Sequence, residues 1–230
     1  MALWPQNTRA DTSLDTTDSL EVVRIGFNYP LTGPYSVEGL DQIRAARLAV
    51  DQVNAEGGIL GRHIELVTTD SASDILRTEI NLRKLISQGC SMIFGGSSSA
   101  VAITSASICQ EAGVLFFGTL TYSTATTLEH AHRFSFRECN NSWMSARVLG
   151  AWLKENRPDS RLFFITANYT WGWTTEESLR EVLGAHDTTV HPGVLTPLGT
   201  MDFEEELTRV ALSGADTLVL VLFGKDMAFA

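Results

Sequence analysis

Residues 91–122 read SMIFGGSSSAVAITSASICQEAGVLFFGTLTY. An apolar run at 92–94 meets two glycines and three serines, a helical pattern follows over 100–111, and a second apolar run at 114–117 opens into Gly-Thr-Leu-Thr-Tyr. This spacing predicts two neighbouring parallel strands joined by a crossover helix. Both loops then leave the carboxyl ends of their strands. Ligands bind there in open α/β sheets, because backbone N–H groups and a helix N-terminus converge on one crevice. The stretch offers hydroxyls, amides and a ring but no nucleophile–base pair, so it reads as a place to hold a small molecule rather than transform one.

The same alternation runs through the chain. Strands are expected at 22–27, 63–67, 162–166 and 217–223, with a strand-like piece at 133–136 and a weak strand at 188–194. Helices are expected at 40–54 (Ile43, Ala46, Leu48, Ala49 and Val53 at helical spacing, stopped by Gly57-Gly58), 74–88, 142–155, 174–183 and 201–212, the last with Asp202 as an N-terminal acid. The run TLVLVLF at 217–223 is apolar throughout, the pattern of a strand at the buried centre of a parallel sheet. The fold class predicted is α/β: Rossmann-like, doubly wound sheets with right-handed crossovers.

The strand–helix unit restarts after a polar connection at 119–132, which gives two lobes: a disordered leader at 1–20, lobe 1 at 21–138 and lobe 2 at 139–230. The second lobe reads as unfinished. Its last strand would leave a raw apolar edge, which suggests a fragment or a covering partner segment.

Composition excludes several classes. With 17 basic and 27 acidic residues the formal charge is −10, against nonspecific nucleic-acid binding and against an anionic membrane surface. No stretch reaches the roughly 18–20 consecutive apolar residues of a membrane span. The N-terminus has no basic region followed by an apolar one, so no signal peptide is read in this chain. Three cysteines at irregular spacing make neither a zinc signature nor a disulfide framework, and Cys109 reads as a small buried hydrophobe. His130 and His132 lack further ligands and read as a solvated loop. Glu204, Glu205 and Glu206 read as a favourable charge arrangement at a helix start. The segment after the first strand, GFNYPLTG at 26–33, is not a G-x-G-x-x-G motif, and neither a phosphate-loop lysine motif nor G-x-S-x-G is present. No enzyme, cofactor or metal is expected.

Several landmarks occur in order: Ile25-Gly26-Phe27 with Leu31-Thr32-Gly33-Pro34; NAEGGILGR at 54–62; Asp70 with Asp74; Gly95 to Ser99; GVLFF at 113–117; Tyr169-Thr170-Trp171-Gly172; and Gly214-Ala215-Asp216. Over residues 21–230 the chain resembles type I periplasmic solute-binding proteins of ABC transporters, in the branch that binds leucine, isoleucine and valine or amides and urea. The resemblance implies a two-lobed, periplasmic or extracellular receptor that closes over its ligand by hinge motion, with an importer permease as partner. Members of that family run longer than this chain.

Carried over residue by residue, the resemblance implies that Ser99, with Ser98 beside it, holds a ligand carboxylate. It implies that Leu120, Thr121 and Tyr122 supply backbone and hydroxyl contacts, and that Trp171 and Phe223 close over the ligand from lobe 2. Tyr35 or Glu38 is expected near the cleft. On the bland reading, the serines cap a helix, and capping and binding are compatible if Ser99 does one and Ser98 the other. Trp171 could equally pack on the lobe surface and Phe223 in the core, while Trp173 and Trp143 read as structural. The family's disulfide positions fall on Ser73 and Ser98, so that bridge is absent. The acid that holds a ligand ammonium is expected beyond Ala230. Tyr122 and the bulk of Trp171 favour a flat amide or small aromatic acid at least as well as a branched-chain amino acid. The competing expectation is the ligand-sensing domain of a signalling receptor or regulator.

Overall fold

The computed structural model describes residues 22–230, so the leader at 1–20 lies outside the described residues. Among the described residues, eight strands form two parallel sheets, accompanied by seven α-helices. The first sheet has the order β2-β1-β3-β4-β5, from β1 (Val23–Tyr29), β2 (Ile64–Asp70), β3 (Met92–Gly95), β4 (Leu115–Gly118) and β5 (Ser135–Arg137). The strand-like piece expected at 133–136 is thus a fifth, parallel edge strand, paired through Phe117 with Phe136. The second sheet has the order β7-β6-β8, from β6 (Leu162–Ala167), β7 (Gly193–Thr196) and β8 (Thr217–Val221).

In the first sheet, α2 (Ile75–Ser87) and α3 (Ser99–Ala112) cover one face, and Leu82, Leu85, Ile93, Cys109 and Phe116 form the core between. On the other face α1 (Ser36–Ala55) seals Phe27, Tyr29 and Ile43. An apolar groove of about 340 Å³ remains beside α1, floored by Ile25, Ile64, Leu66 and Phe94. The face continues as a ladder of rings: Phe94 stacks on Phe117 at 4.8 Å and Phe117 on Phe136 at 5.3 Å, and Phe136 is half exposed. In the second half, α4 (Ser142–Asn156) and α5 (Thr170–Leu183) pack on each other and on β6, every residue of which is buried. Arg180 of α5 enters this core over the Phe164 ring, 4.1 Å from its centroid, and is satisfied by Glu176 and by the carbonyls of Ala185 and His191. Two further helices are α6 (Glu204–Ser213) and α7 (Lys225–Phe229).

Several expectations are corrected. The apolar run at 217–223 is not the sheet centre: β6 is central, and β8 pairs with β6 alone, leaving Leu218 exposed. The weak strand moves from 188–194 to β7, because Asp187 accepts hydrogen bonds from the Thr189 amide and hydroxyl and folds that segment into a turn. Helix α5 starts at Thr170 rather than at 174, so Trp171 and Trp173 lie in its first turn. Helix α1 starts at Ser36, not at 40. Helix α6 starts at Glu204 rather than at 201, with Asp202 accepting from the Glu204 amide at 3.1 Å.

Candidate functional site

The loops after β3 and β4 lie side by side, because their strands pair in register from Met92 with Leu115 to Gly95 with Gly118. Gly95 and Gly96 take φ of +146° and +89°, backbone that L side chains rarely adopt, and this turns the chain from β3 toward α3. The serine loop follows. Ser98 caps α3 by accepting from the Val101 amide at 3.3 Å. Of the two serines, Ser98 is therefore the cap, and Ser99 is the first helical residue, 1% exposed. Ser97 Oγ is buried with no hydrogen-bond partner in the protein. The first amides of α3 have no acceptor within the helix, so this end carries partial positive charge.

Ser97, Ser98, Ser99, Leu120, Tyr122, Tyr169, Trp171 and Phe223 line one cavity. Serines and Leu120 come from the first sheet's loops, Tyr169 and Trp171 from the start of α5, and Phe223 from the loop after β8. The rings interlock: Trp171 meets Phe223 edge-on at 6.1 Å, Tyr122 lies 6.2 Å from Phe223, and Tyr169 lies 5.9 Å from Trp171. The space left among them is about 10 Å³, room for one water molecule. No charged side chain lines it.

The remaining expected residues stand behind this wall. Tyr35, 2% exposed, packs its ring edge-on to Phe223 at 5.7 Å and donates a 2.7 Å hydrogen bond to Tyr169 Oη. Burial pushes both phenols well above their ordinary value, with nearby Asp226 adding to the shift, so both stay protonated. Glu38 sits against Gly224, outside the cavity lining. Thr121 turns its methyl onto Gly118 and faces a different pocket, next to Phe116 and Arg137, so its side chain is not brought to the cleft. Trp173 is half exposed and donates to Asn168 Oδ1 at 3.0 Å.

Sequence reasoning missed Tyr169 and took Ser97 only together with the two serines after it. Tyr169 stood inside a quoted landmark, and its signal was its place immediately before a helix that starts earlier than the pattern suggested. Ser97 was obscured by two adjacent serines of the same chemistry. Among the described residues no group of histidine, cysteine and acidic side chains is placed to hold a metal ion, and no helix is long and apolar enough to cross a membrane. Cys90, Cys109 and Cys139 are free thiols.

A family model described as "Periplasmic binding protein" matches residues 22–230. The Leu/Ile/Val-binding protein BraC3 of Rhizobium johnstonii is 29% identical over 204 residues, covering 88% of this chain and 54% of that protein. Among solved structures, a periplasmic binding protein from Burkholderia mallei superposes with a TM-score of 0.79 at 23% identity, covering 90% of this chain and 55% of that one. A solute-binding protein of an ABC transporter from Rhodopseudomonas palustris, in complex with 3,4-dihydroxybenzoic acid, has a TM-score of 0.77 at 20% identity, over 89% and 55% of the two chains. The chain thus spans about half the length of the relatives it matches.

Proposed function

We propose that this chain, which belongs to the periplasmic binding protein family, is the ligand-closing part of an extracytoplasmic solute receptor that delivers a small carboxylate to an ABC importer. Its division into lobe 1 at 21–138 and lobe 2 at 139–230 belongs to the same reading. The observation that carries it is the cavity at the lobe junction, where the N-terminal end of α3 and the free Ser97 hydroxyl face Tyr122, Tyr169, Trp171 and Phe223. A carboxylate is matched by backbone amides and a hydroxyl, with the helix end supplying positive potential and no lysine or arginine required. Four rings suit a flat, apolar body, because aromatic pairs contribute beyond their buried area. This favours a small aromatic carboxylate, consistent with the dihydroxybenzoate in the Rhodopseudomonas relative. The lining has neither a general base nor an activated nucleophile, so the cleft binds rather than catalyses.

Calorimetric titration with benzoate, 4-hydroxybenzoate, leucine and acetamide tests the reading. Saturable binding of a benzoate, tighter than that of leucine, is the expected result. Binding of leucine alone would overturn the aromatic assignment, and binding of none of the four would overturn the proposal that this cleft takes a small carboxylate.

A further inference from the structure

Tyr35 and Tyr169 hold the same place in the two halves of the molecule. Tyr35 is the residue before α1, which follows β1; Tyr169 is the residue before α5, which follows β6. Strand β1 lies between β2 and β3, and β6 lies between β7 and β8, so each tyrosine leaves the first strand of its unit at a point flanked on both sides. Tyrosine is not a favoured residue at a helix start. Neither side chain caps its helix. Local structure therefore gives no reason for either phenol. What they do is meet: the two hydroxyls are 2.7 Å apart across 134 residues of sequence, and the rings lie 6.5 Å apart. Phe223, from the second half, closes over Tyr35 and leaves it almost wholly buried.

We infer that the Tyr35–Tyr169 hydroxyl bridge is a latch between the two lobes, which holds the cleft shut and sets how readily it opens. The bridge shares its rings with the cavity wall, since Tyr169 lines the cavity and Tyr35 supports Phe223. Opening the cleft by separating the sheets breaks this part-buried contact. In the open form water takes the place of the partner, so the bridge favours closure by the net worth of one hydrogen bond even before a ligand arrives. Both phenols are protonated across the ordinary pH range, so a donor is always present. The latch acts on lobe closure itself. Only its consequence for uptake of a solute rests on the proposed receptor function.

Tyr35→Phe and Tyr169→Phe keep both rings and remove the bridge. The measurement is amide hydrogen exchange in peptides covering 97–99, 120–122 and 223–224, compared with peptides from β1 and β6. Exchange in the cleft loops is expected to rise about two- to tenfold in either variant, the range set by one net hydrogen bond. The double variant is expected to match the singles, because either change alone breaks the same contact. Exchange in β1 and β6 should not change. Unaltered cleft exchange in both variants would overturn the latch, as would an equal rise in the core strands, which would mark general destabilisation. This readout needs no ligand. If wild-type protein binds no carboxylate while the variants show the cleft-specific rise, the receptor reading fails and the latch stands.

Discussion

Gly39 and Gly172 mark the same close approach in the two halves. A methyl group on Gly39 would overlap the carbonyl oxygen of Pro30 at the end of β1, and one on Gly172 would overlap that of Ala167 at the end of β6. Each glycine lets the first turn of a helix lie directly on the strand it follows, which fixes where Tyr35 and Tyr169 emerge. Backbone is the obstacle in both cases, so no side-chain rotation relieves the overlap.

Gly39→Ala and Gly172→Ala are therefore expected to destabilise the protein by about 1–3 kcal/mol or more. Gly113→Ala provides the contrast. Gly113 ends α3 at φ +67° with open space around it, so alanine meets only the backbone penalty of about 1 kcal/mol. Chemical denaturation of the three variants, read by circular dichroism, checks the order.

The serine loop separates into two roles. Ser98→Ala removes the α3 cap and should cost about 1 kcal/mol of stability. Ser97→Ala removes a hydroxyl with no partner in the protein, so stability should be unchanged or slightly higher while benzoate affinity falls about tenfold. Trp171→Ala should weaken benzoate binding by at least as much, since it opens one wall of the cavity. Paired denaturation and calorimetry on each variant distinguish the roles. Equal affinity in wild-type, Ser97→Ala and Trp171→Ala proteins would sink the cleft assignment.

Asp70 ties the loop after β1 to the end of β2. Its carboxylate accepts from the Leu31 and Thr32 amides, the Thr32 hydroxyl and the Ala72 amide, and faces Arg77 at 3.2 Å. Burial works to raise its pKa, but the hydrogen bonds from Thr32 and Ala72 together with Arg77 outweigh it and hold the carboxyl below its ordinary value. A depressed carboxylate stabilises the fold above the unfolded-state value, near 4, and loses that contribution as pH falls through the folded-state value. Wild type should therefore exceed Asp70→Asn in stability at neutral pH by about 1–3 kcal/mol, and the gap should close in acid. Asp226 has the opposite sign. Burial raises its pKa despite the Gly199 amide, so its contribution is present in acid and lost as pH rises through the folded-state value. Urea denaturation of Asp70→Asn and Asp226→Asn from pH 3 to pH 7 separates the two slopes.

Arg180 is 9% exposed, and its partner Glu176 is partly buried. Arg180→Ala would strand Glu176 and two carbonyls, at a cost of about 3–5 kcal/mol. Arg180→Lys keeps the charge but not the planar fork that serves Glu176, Ala185 and His191 together while lying over Phe164, so it should recover only part of the loss. Thermal denaturation of the two variants measures both.

The α/β alternation was legible because helical and strand periods differ, and glycine pairs such as Gly57-Gly58 mark the ends. The pairing of β3 with β4 followed from one short crossover. The place of β8 was not legible, because an uninterrupted apolar run looks the same at a sheet centre as at an edge whose neighbours lie elsewhere in sequence. Most of the expected site residues meet at one cavity, since they stand at strand ends that topology brings together. Thr121 and Glu38 do not line it: proximity in sequence to Leu120 or Tyr35 says nothing about which way a side chain turns. Tyr169 was missed for the same reason that Tyr35 was only half understood. Their common role exists solely between the halves, where no sequence periodicity reaches.

A cavity with room for a single water molecule has a kinetic consequence. No solute larger than water can enter while the rings stand as they do, so uptake has to wait for the cleft to open. In a stopped-flow experiment on tryptophan emission, the observed rate should rise with ligand concentration and then level off at the opening rate, rather than climb linearly. The plateau would be a property of the protein alone, the same for every ligand that fits, and solutes would differ mainly in how long they stay.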